Sequence, residues 1–375
     1  MQVSAAGIFG LAVEGKINAF TGGMHGKERT PNGDYSLVIL GDTHFDAAPD
    51  ELYHDGYTDP SPTREANHRK EFVRNYEMWE ERMPRLVKRA SCLIEDDTKA
   101  VLHMGDLIQG DCNSVAAHTR MLDDAMNRLK GILGPLPLVT VAGNHDMRGS
   151  RDAEAIEAYN NYMPERMSRE LGKKFTKTTF GFNIGPDAFI VVNFNQPDDA
   201  EIEKILRETE SARYTFVMVH GPVFPYQSSN YNWILHGKDD AKVRKHIRSL
   251  FAKRNAIVFC GHTHTTELAD WYGEGGRITQ MTMNSVWKDA AVGKYTVEAE
   301  GPENYDLSRI KAAEKAGTER PEDEVAMFGE IKPGLKKWII SKACGSYKVR
   351  VSDEGVIVDF YAGDDSARSE RFVLR

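Results

Sequence analysis

Short apolar runs rich in β-branched residues alternate along this chain with longer stretches in which apolar residues recur every three or four positions. "YSLVIL" (Tyr35 to Leu40) predicts a buried strand that stops at Gly41-Asp42. Spaced apolar residues within mixed charge predict a helix over about Thr63 to Ile94. "KAVLHM" (Lys99 to Met104) predicts a second strand, about Ser114 to Leu133 a helix, and "LPLVTVA" (Leu136 to Ala142) a third strand. "AFIVVNF" (Ala188 to Phe194), "YTFVMV" (Tyr214 to Val219) and "AIVFC" (Ala256 to Cys260) read as later strands. Helical segments near Ala200 to Ser211 and Asp239 to Arg254 separate them. Strands alternating with helices place the chain in the α/β class.

The outer segments have a different texture. Lys288 to Lys336 is charged, includes "AAEKAGTERPEDE", and reads as a surface insertion at about 288–336. "YKVRVSDEGVIVDFYAG" is two alternating runs around Asp353-Glu354-Gly355, which predicts a hairpin adding edge strands. Residues 31–375 therefore read as a single domain, preceded by a leader over 1–30. Within the leader, "SAAGIFGLAV" (Ser4 to Val13) has the small, apolar character of the core of an export signal. It favours a periplasmic or secreted protein, although no Lys or Arg precedes it and an ordinary leader would look the same. No apolar run is long enough to span a bilayer.

The chain has 375 residues, 41% hydrophobic and 28% charged, enough for a sizeable core. Its formal charge of -8 argues against broad capture of nucleic acid, which needs a basic face. The four cysteines, Cys92, Cys112, Cys260 and Cys344, form no C-x-x-C pair. That speaks against a thiolate zinc site and against a disulfide framework.

Candidate chemistry sits where the apolar runs stop. The first strand runs into "LGDTHFD", with Asp42 and His44, and the second into "HMGDLIQGD", with Asp106. The third leads to "VAGNHDMRG", with Asn144, His145, Asp146 and Arg148. "YTFVMV" ends at His220, and "AIVFC" at "GHTH", with His262 and His264. Ligands of open α/β sheets sit beyond the carboxyl ends of strands. Turn chemistry accounts for Gly-Asp after any one strand and helix capping for Asn144. It does not account for all five strand ends together.

In this order the blocks D-x-H, G-D, G-N-H-D, a lone H and G-H-x-H resemble the calcineurin-like metallophosphoesterases, over roughly Tyr35 to Trp287. The resemblance implies two stacked, mixed β-sheets flanked by helices, a four-layer sandwich with a metal site at the sheets' edge loops. It implies that Asp42, His44 and His264 hold one ion, that Asn144, His220 and His262 hold a second, and that Asp106 bridges them. It thereby implies a dinuclear hydrolase of phosphate esters using two divalent or mixed-valent transition-metal ions. The nitrogen and oxygen donors suit Mn, Fe, Zn or Co. Two ions sharing one carboxylate can clamp a phosphoryl group and acidify a bridging water. The implied partner is a small phosphorylated substrate, monoester or alternatively diester or nucleotide; a non-catalytic scaffold of the same fold is the alternative from another class, and every motif ligand and His145 being present speaks against it.

The resemblance further makes His145 the general acid. Asp146 could orient a histidine or cap the following helix. Arg148 falls where the Ser/Thr protein phosphatases carry a phosphate-binding arginine, and a solvated arginine is the alternative. Two departures set the chain apart. Gly110 replaces the arginine of the protein phosphatases, and Gln109 replaces the tyrosine of the purple acid phosphatases. "GDLIQGD" is closer to nucleotidase-type members. In "PVFPYQSSNYNWILHGK", Phe224, Tyr226, Tyr231, Trp233 and His236 could stack on a substrate or pack the loop onto the core. Cys112, with no adjoining base, reads as a packed thiol.

Overall fold

A computed structural model describes residues 17–19, 33–47, 52–225, 233–237 and 240–375. Ser4 to Val13, Tyr226 and Tyr231 lie outside the described residues. Two mixed sheets form the centre. Numbered in chain order, the first contains β1 (Ile17–Ala19), β5 (Phe180–Ile184), β6 (Asp187–Val192), β7 (Thr215–Val219), β8 (Ile257–Cys260), β10 (Gly276–Thr282), β9 (Thr266–Gly273), β12 (Leu335–Ser341) and β11 (Ala299–Glu300), adjacent in that order. The second contains β15 (Glu370–Val373), β14 (Gly355–Ala362), β13 (Gly345–Ser352), β2 (Tyr35–Leu40), β3 (Thr98–His103) and β4 (Leu138–Thr140). β2, β3 and β4 run parallel, as do β6, β7, β8 and β10.

Side-chain alternation separates two cores. Phe189 and Val191 of β6, Phe216 and Met218 of β7, and Ile257 and Phe259 of β8 join Leu37, Ile39 and Val349 of the other sheet in the central core. Their neighbours Ile190, Val192, Val217, Val219, Val258 and Cys260 point into a second core on the opposite face. Phe182, Phe189 and Phe216 stack in register across three strands, with centroids 5.1 and 4.7 Å apart. Cutting Phe216 to alanine there would cost about 3–5 kcal/mol.

Helices cover the outer faces. α1 (Pro62–Ser91) starts with Ser61 capping Arg64 and Pro62 in the first turn. It buries Trp79, Met83, Leu86 and Ala90, a stripe at three- and four-residue spacing, in the central core. α2 (Val115–Leu133), capped by Ser114, packs beside it, and α3 (Asp152–Leu171) packs on α2. α4 (Asp199–Glu208) and α5 (Ala241–Lys253) cover the second core. Among the described residues no helix is long and apolar enough to cross a membrane.

Two outer segments differ from the sequence reading. The 288–336 stretch holds α6 (Leu307–Ala316), which buries nothing, but also α7 (Glu322–Ile331). Through Tyr305, Met327, Phe328 and Ile331 it closes the second core, so it is not only surface. The hairpin β13–β14 turns at Asp353-Glu354, yet β13 is not an edge strand, because it pairs with β2 on its other side. β15 takes the edge.

Candidate metal centre

The loops leaving β2, β3, β4, β7 and β8 meet at one end of the sandwich, and hydrogen bonds between the sheets tie them together. The His262 amide donates to Asp42 Oδ1 at 2.8 Å. His220 Nδ1 donates to the Met104 carbonyl at 2.8 Å, which fixes the tautomer and leaves Nε2 as a lone-pair donor. The Gly143 amide donates to Asp146 Oδ2 at 2.8 Å, and the His145 amide to Asp106 Oδ1 at 2.8 Å. A Cβ on Gly143 would lie 2.1 Å from the Asp106 nitrogen, so only glycine lets these loops close.

Two groups of donors result. Asp42, His44, Asp106 and His264 place one donor atom each within 4.8 Å of one another, and so do Asp106, His220 and His262. Asp106 belongs to both. Asn144 joins the second group, its Oδ1 lying 2.8 Å from His262 Nδ1 and 3.1 Å from His220 Nε2. His44 Nε2 and His264 Nε2 face each other at 3.1 Å. Two nitrogen donors about 2.0–2.1 Å from one ion lie roughly 2.9–3.4 Å apart, so this spacing suits a shared ion. Asp42 Oδ2 is buried without a protein partner. The residues fit a pair of metal ions.

The backbone bends to achieve this. His44, Asp106, His262 and His264 have φ of 43°, 49°, 71° and 51°, a left-handed region that non-glycine residues rarely adopt. Four such residues, at about 1–2 kcal/mol each, persist only where packing over-determines them, and they cluster at functional sites. His262 and His264 therefore do not share one face of an extended chain. Successive left-handed turns send them to different donor groups.

Charge in the centre is arranged for cations. Burial pushes the His44 and His262 imidazoles well below their usual range and His264 to about 3, keeping them neutral. Burial and the nearby Asp106 charge raise Asp42 to about 7. Burial also works against protonation of His220, but Asp106 and Asp42 beside it raise it to about 9. Two buried carboxylates thus draw positive charge to this point.

The three candidates that follow Asn144, namely His145, Asp146 and Arg148, are placed differently. His145 stands with its ring 4.5 Å from that of His44, and its Nδ1 donates to the Gln109 carbonyl at 2.9 Å. Burial, then Arg148, lowers its pKa. Asp146 neither orients a histidine through its carboxylate nor caps a helix. Its oxygens accept from the amides of Gly143 and Ile108, tying the loop after β4 to the loop after β3 and satisfying two buried donors. Arg148 is held in ion pairs rather than free in solvent. Nε donates to Asp111 Oδ1 at 2.8 Å and Nη2 to Glu71 Oε2 at 2.9 Å.

A brace that the sequence did not announce surrounds this arginine. Asp111 also accepts from Gln109 Nε2 at 2.8 Å, and Asn75 of α1 donates to Gln109 Oε1. Asn195, following β6, donates to the Gly143 carbonyl at 2.7 Å. The available signals were the second Gly-Asp of "GDLIQGD" and the asparagines of "VVNFNQ", polar residues again placed just after a strand. Of the candidate aromatics, Phe224 is buried in the second core, His236 bonds Asp199 at 2.8 Å, and Trp233 is exposed. Cys112 is buried, its thiol pushed well up by burial.

Comparison with known proteins agrees with this geometry. No curated protein sequence matches the chain. Among solved structures, a purple acid phosphatase from yellow lupin (Lupinus luteus) seeds superposes with a TM-score of 0.50 at 12% identity, over 92% of this chain and 54% of that one. The chain thus spans about half the length of the lupin enzyme. PhoD superposes with a TM-score of 0.51 at 10% identity, over 92% of this chain and 69% of that one. At such identities the likeness establishes the fold. Residues 35–266 match the sequence profile of the calcineurin-like phosphoesterases, a span that holds all five motif-bearing strand ends. This chain belongs to the calcineurin-like phosphoesterase family.

Proposed function

We propose that the protein hydrolyses phosphate esters at a two-ion centre, with Asp42, His44 and His264 holding one ion and Asn144, His220 and His262 the other. Asp106 holds both. The observation that carries this reading is the shared carboxylate: Asp106 belongs to both donor groups, so two ions bound there would be neighbours. Bound, Mn, Fe, Zn or Co ions would neutralise phosphoryl oxygens and acidify a water for attack on phosphorus. The Nδ1 proton of His145 is committed to the Gln109 carbonyl. To act as the acid the ring must therefore take up a second proton, on Nε2, and hand that one to the departing oxygen, against the burial and the Arg148 charge that lower its pKa. Arg148 has Nη1 left over from its ion pairs and lines the adjoining cleft, where it can donate to the substrate. Asp146 acts by holding the loops of Asp106 and Asn144 together.

The test is metal content and turnover in the same sample. Protein loaded with Mn is expected to carry two ions per chain and to hydrolyse p-nitrophenyl phosphate. Absence of bound metal at micromolar concentration, or a loaded protein inert towards every phosphate ester, would overturn the reading. A larger kcat/KM on the bis ester would make the enzyme a diesterase.

A further inference from the structure

The cleft beside the centre is larger than a phosphoryl group requires. It encloses about 670 Å³ and reaches from Asn144 to Trp233. That volume falls within the roughly 300–1,000 Å³ of sites that enclose a whole organic ligand. Tyr57, Met147 and Ile156 give it apolar wall, and Arg148 gives it a cation near Asn144.

Trp233 is the unusual member of this lining. Its indole lies nearly parallel to the His262 ring, with centroids 5.1 Å apart and planes 15° apart, yet the residue is 41% exposed. Among the exposed large hydrophobic residues described, it is the one that borders the cleft. Phe224, earlier in the same loop, is fully buried against Trp271. Trp233 therefore leaves apolar surface open to water beside a ligand-sized space. An indole face binds any flat ring by stacking, whatever polar groups the ring's edge carries.

We propose that the substrate is a phosphate ester whose alcohol carries a planar aromatic ring, aryl or nucleoside, and that this ring stacks on Trp233. The proposal rests on the phosphate-ester reading above and narrows it. Mn-loaded wild type, Trp233→Ala and Trp233→Phe would be assayed on phenyl phosphate, a nucleoside 5′-monophosphate and glycerol phosphate. Trp233→Ala is expected to lower kcat/KM for a ring-bearing ester about 10-fold more than for glycerol phosphate, mainly through KM, with Trp233→Phe restoring most of it. Loss on both ring esters assigns any flat ring, and loss on the nucleotide alone assigns a nucleoside. An equal loss on all three esters would show that the indole only supports His262, and no loss on any would remove it from binding; either overturns the proposal. If wild type hydrolyses none of the three, nor p-nitrophenyl phosphate or its bis ester, the phosphate-ester reading itself falls and the proposal with it.

Discussion

Two clusters of buried acids and histidines lie side by side in this molecule and meet their need for positive charge in opposite ways. Around Asp111, the protein supplies the cation. Burial alone would raise this carboxyl, but Arg148 and the His68 hydrogen bond hold it well below the usual range. Around Asp106, neither Asp42 nor Asp106 has a lysine or arginine ion pair among the described residues, and Asp42 Oδ2 has no partner. Both regions bring at least three metal-capable side chains within 4.8 Å, since Glu71, Asp111 and His145 do so as well. Proximity of donors thus fails to distinguish a metal site from an ion-pair cluster. The internal arginine does, because a buried carboxylate must be neutralised by something and Arg148 already does so.

The largest effect expected from this contrast is on metal content. Asp106→Ala should lose both ions and all turnover, since each donor group loses a member. Asp111→Asn should keep two ions, and asparagine tolerates the left-handed backbone found there, φ 56°. Elemental analysis after dialysis measures both. An Asp111 variant stripped of metal, or an Asp106 variant still holding two ions, would dissolve the distinction between the clusters.

His145 lies between the two regions, beside His44 and within reach of the Asp111 group, and the next effect tests to which it belongs. As the proton donor, His145→Asn should lower turnover of alkyl phosphates about 10²–10⁴-fold with two ions retained. The loss should shrink for p-nitrophenyl phosphate, whose leaving group departs without a proton. Should metal content fall instead, His145 is a ligand.

The residues of the Asp106 cluster could be read from the sequence, and the pairings that make the brace could not. Asp42, Asp106, Asn144, His220 and His264 each follow an apolar run within a few residues, so strand and site are announced together. Glu71 sits mid-helix in α1 and meets Arg148 across 77 residues, a pairing that no local pattern encodes. The central place of β13 is likewise a long-range choice, made by pairing with β2. β9 and β10 were missed because buried polar residues, Glu267 and Gln280 among them, blur the apolar alternation. Their turn was nonetheless marked: Glu274 and Gly275 both take positive φ, as a tight hairpin turn requires.

A smaller effect is expected on stability. Arg148→Met leaves Asp111 and Glu71 without their cation. Breaking a buried pair costs about 3–5 kcal/mol, and the partly exposed guanidinium puts this one near the lower end. Urea denaturation of metal-free wild type and variant measures it. A change close to zero would mean that Gln109 and His68 suffice to neutralise the brace.

Glu267 provides a third way to hold a buried acid, with neither ions nor arginine. One oxygen accepts from Trp338 Nε1 at 2.6 Å, the other has no partner, and burial raises its pKa from 4.5 to about 7. Below pH 4.5 both the folded and unfolded chains hold the proton, so folding is not penalised. Between pH 4.5 and 7 the unfolded chain releases it while the folded chain keeps it, so stability falls as pH rises, then levels off. The shift corresponds to no more than about 3 kcal/mol. Glu267→Gln keeps an oxygen for Trp338 and cannot ionise. The variant should match wild type near pH 4.5 and exceed it by up to about 3 kcal/mol at pH 8, read as the difference between their denaturation curves. A difference that does not change with pH would mean that the side chain ionises in place, with water reaching its second oxygen.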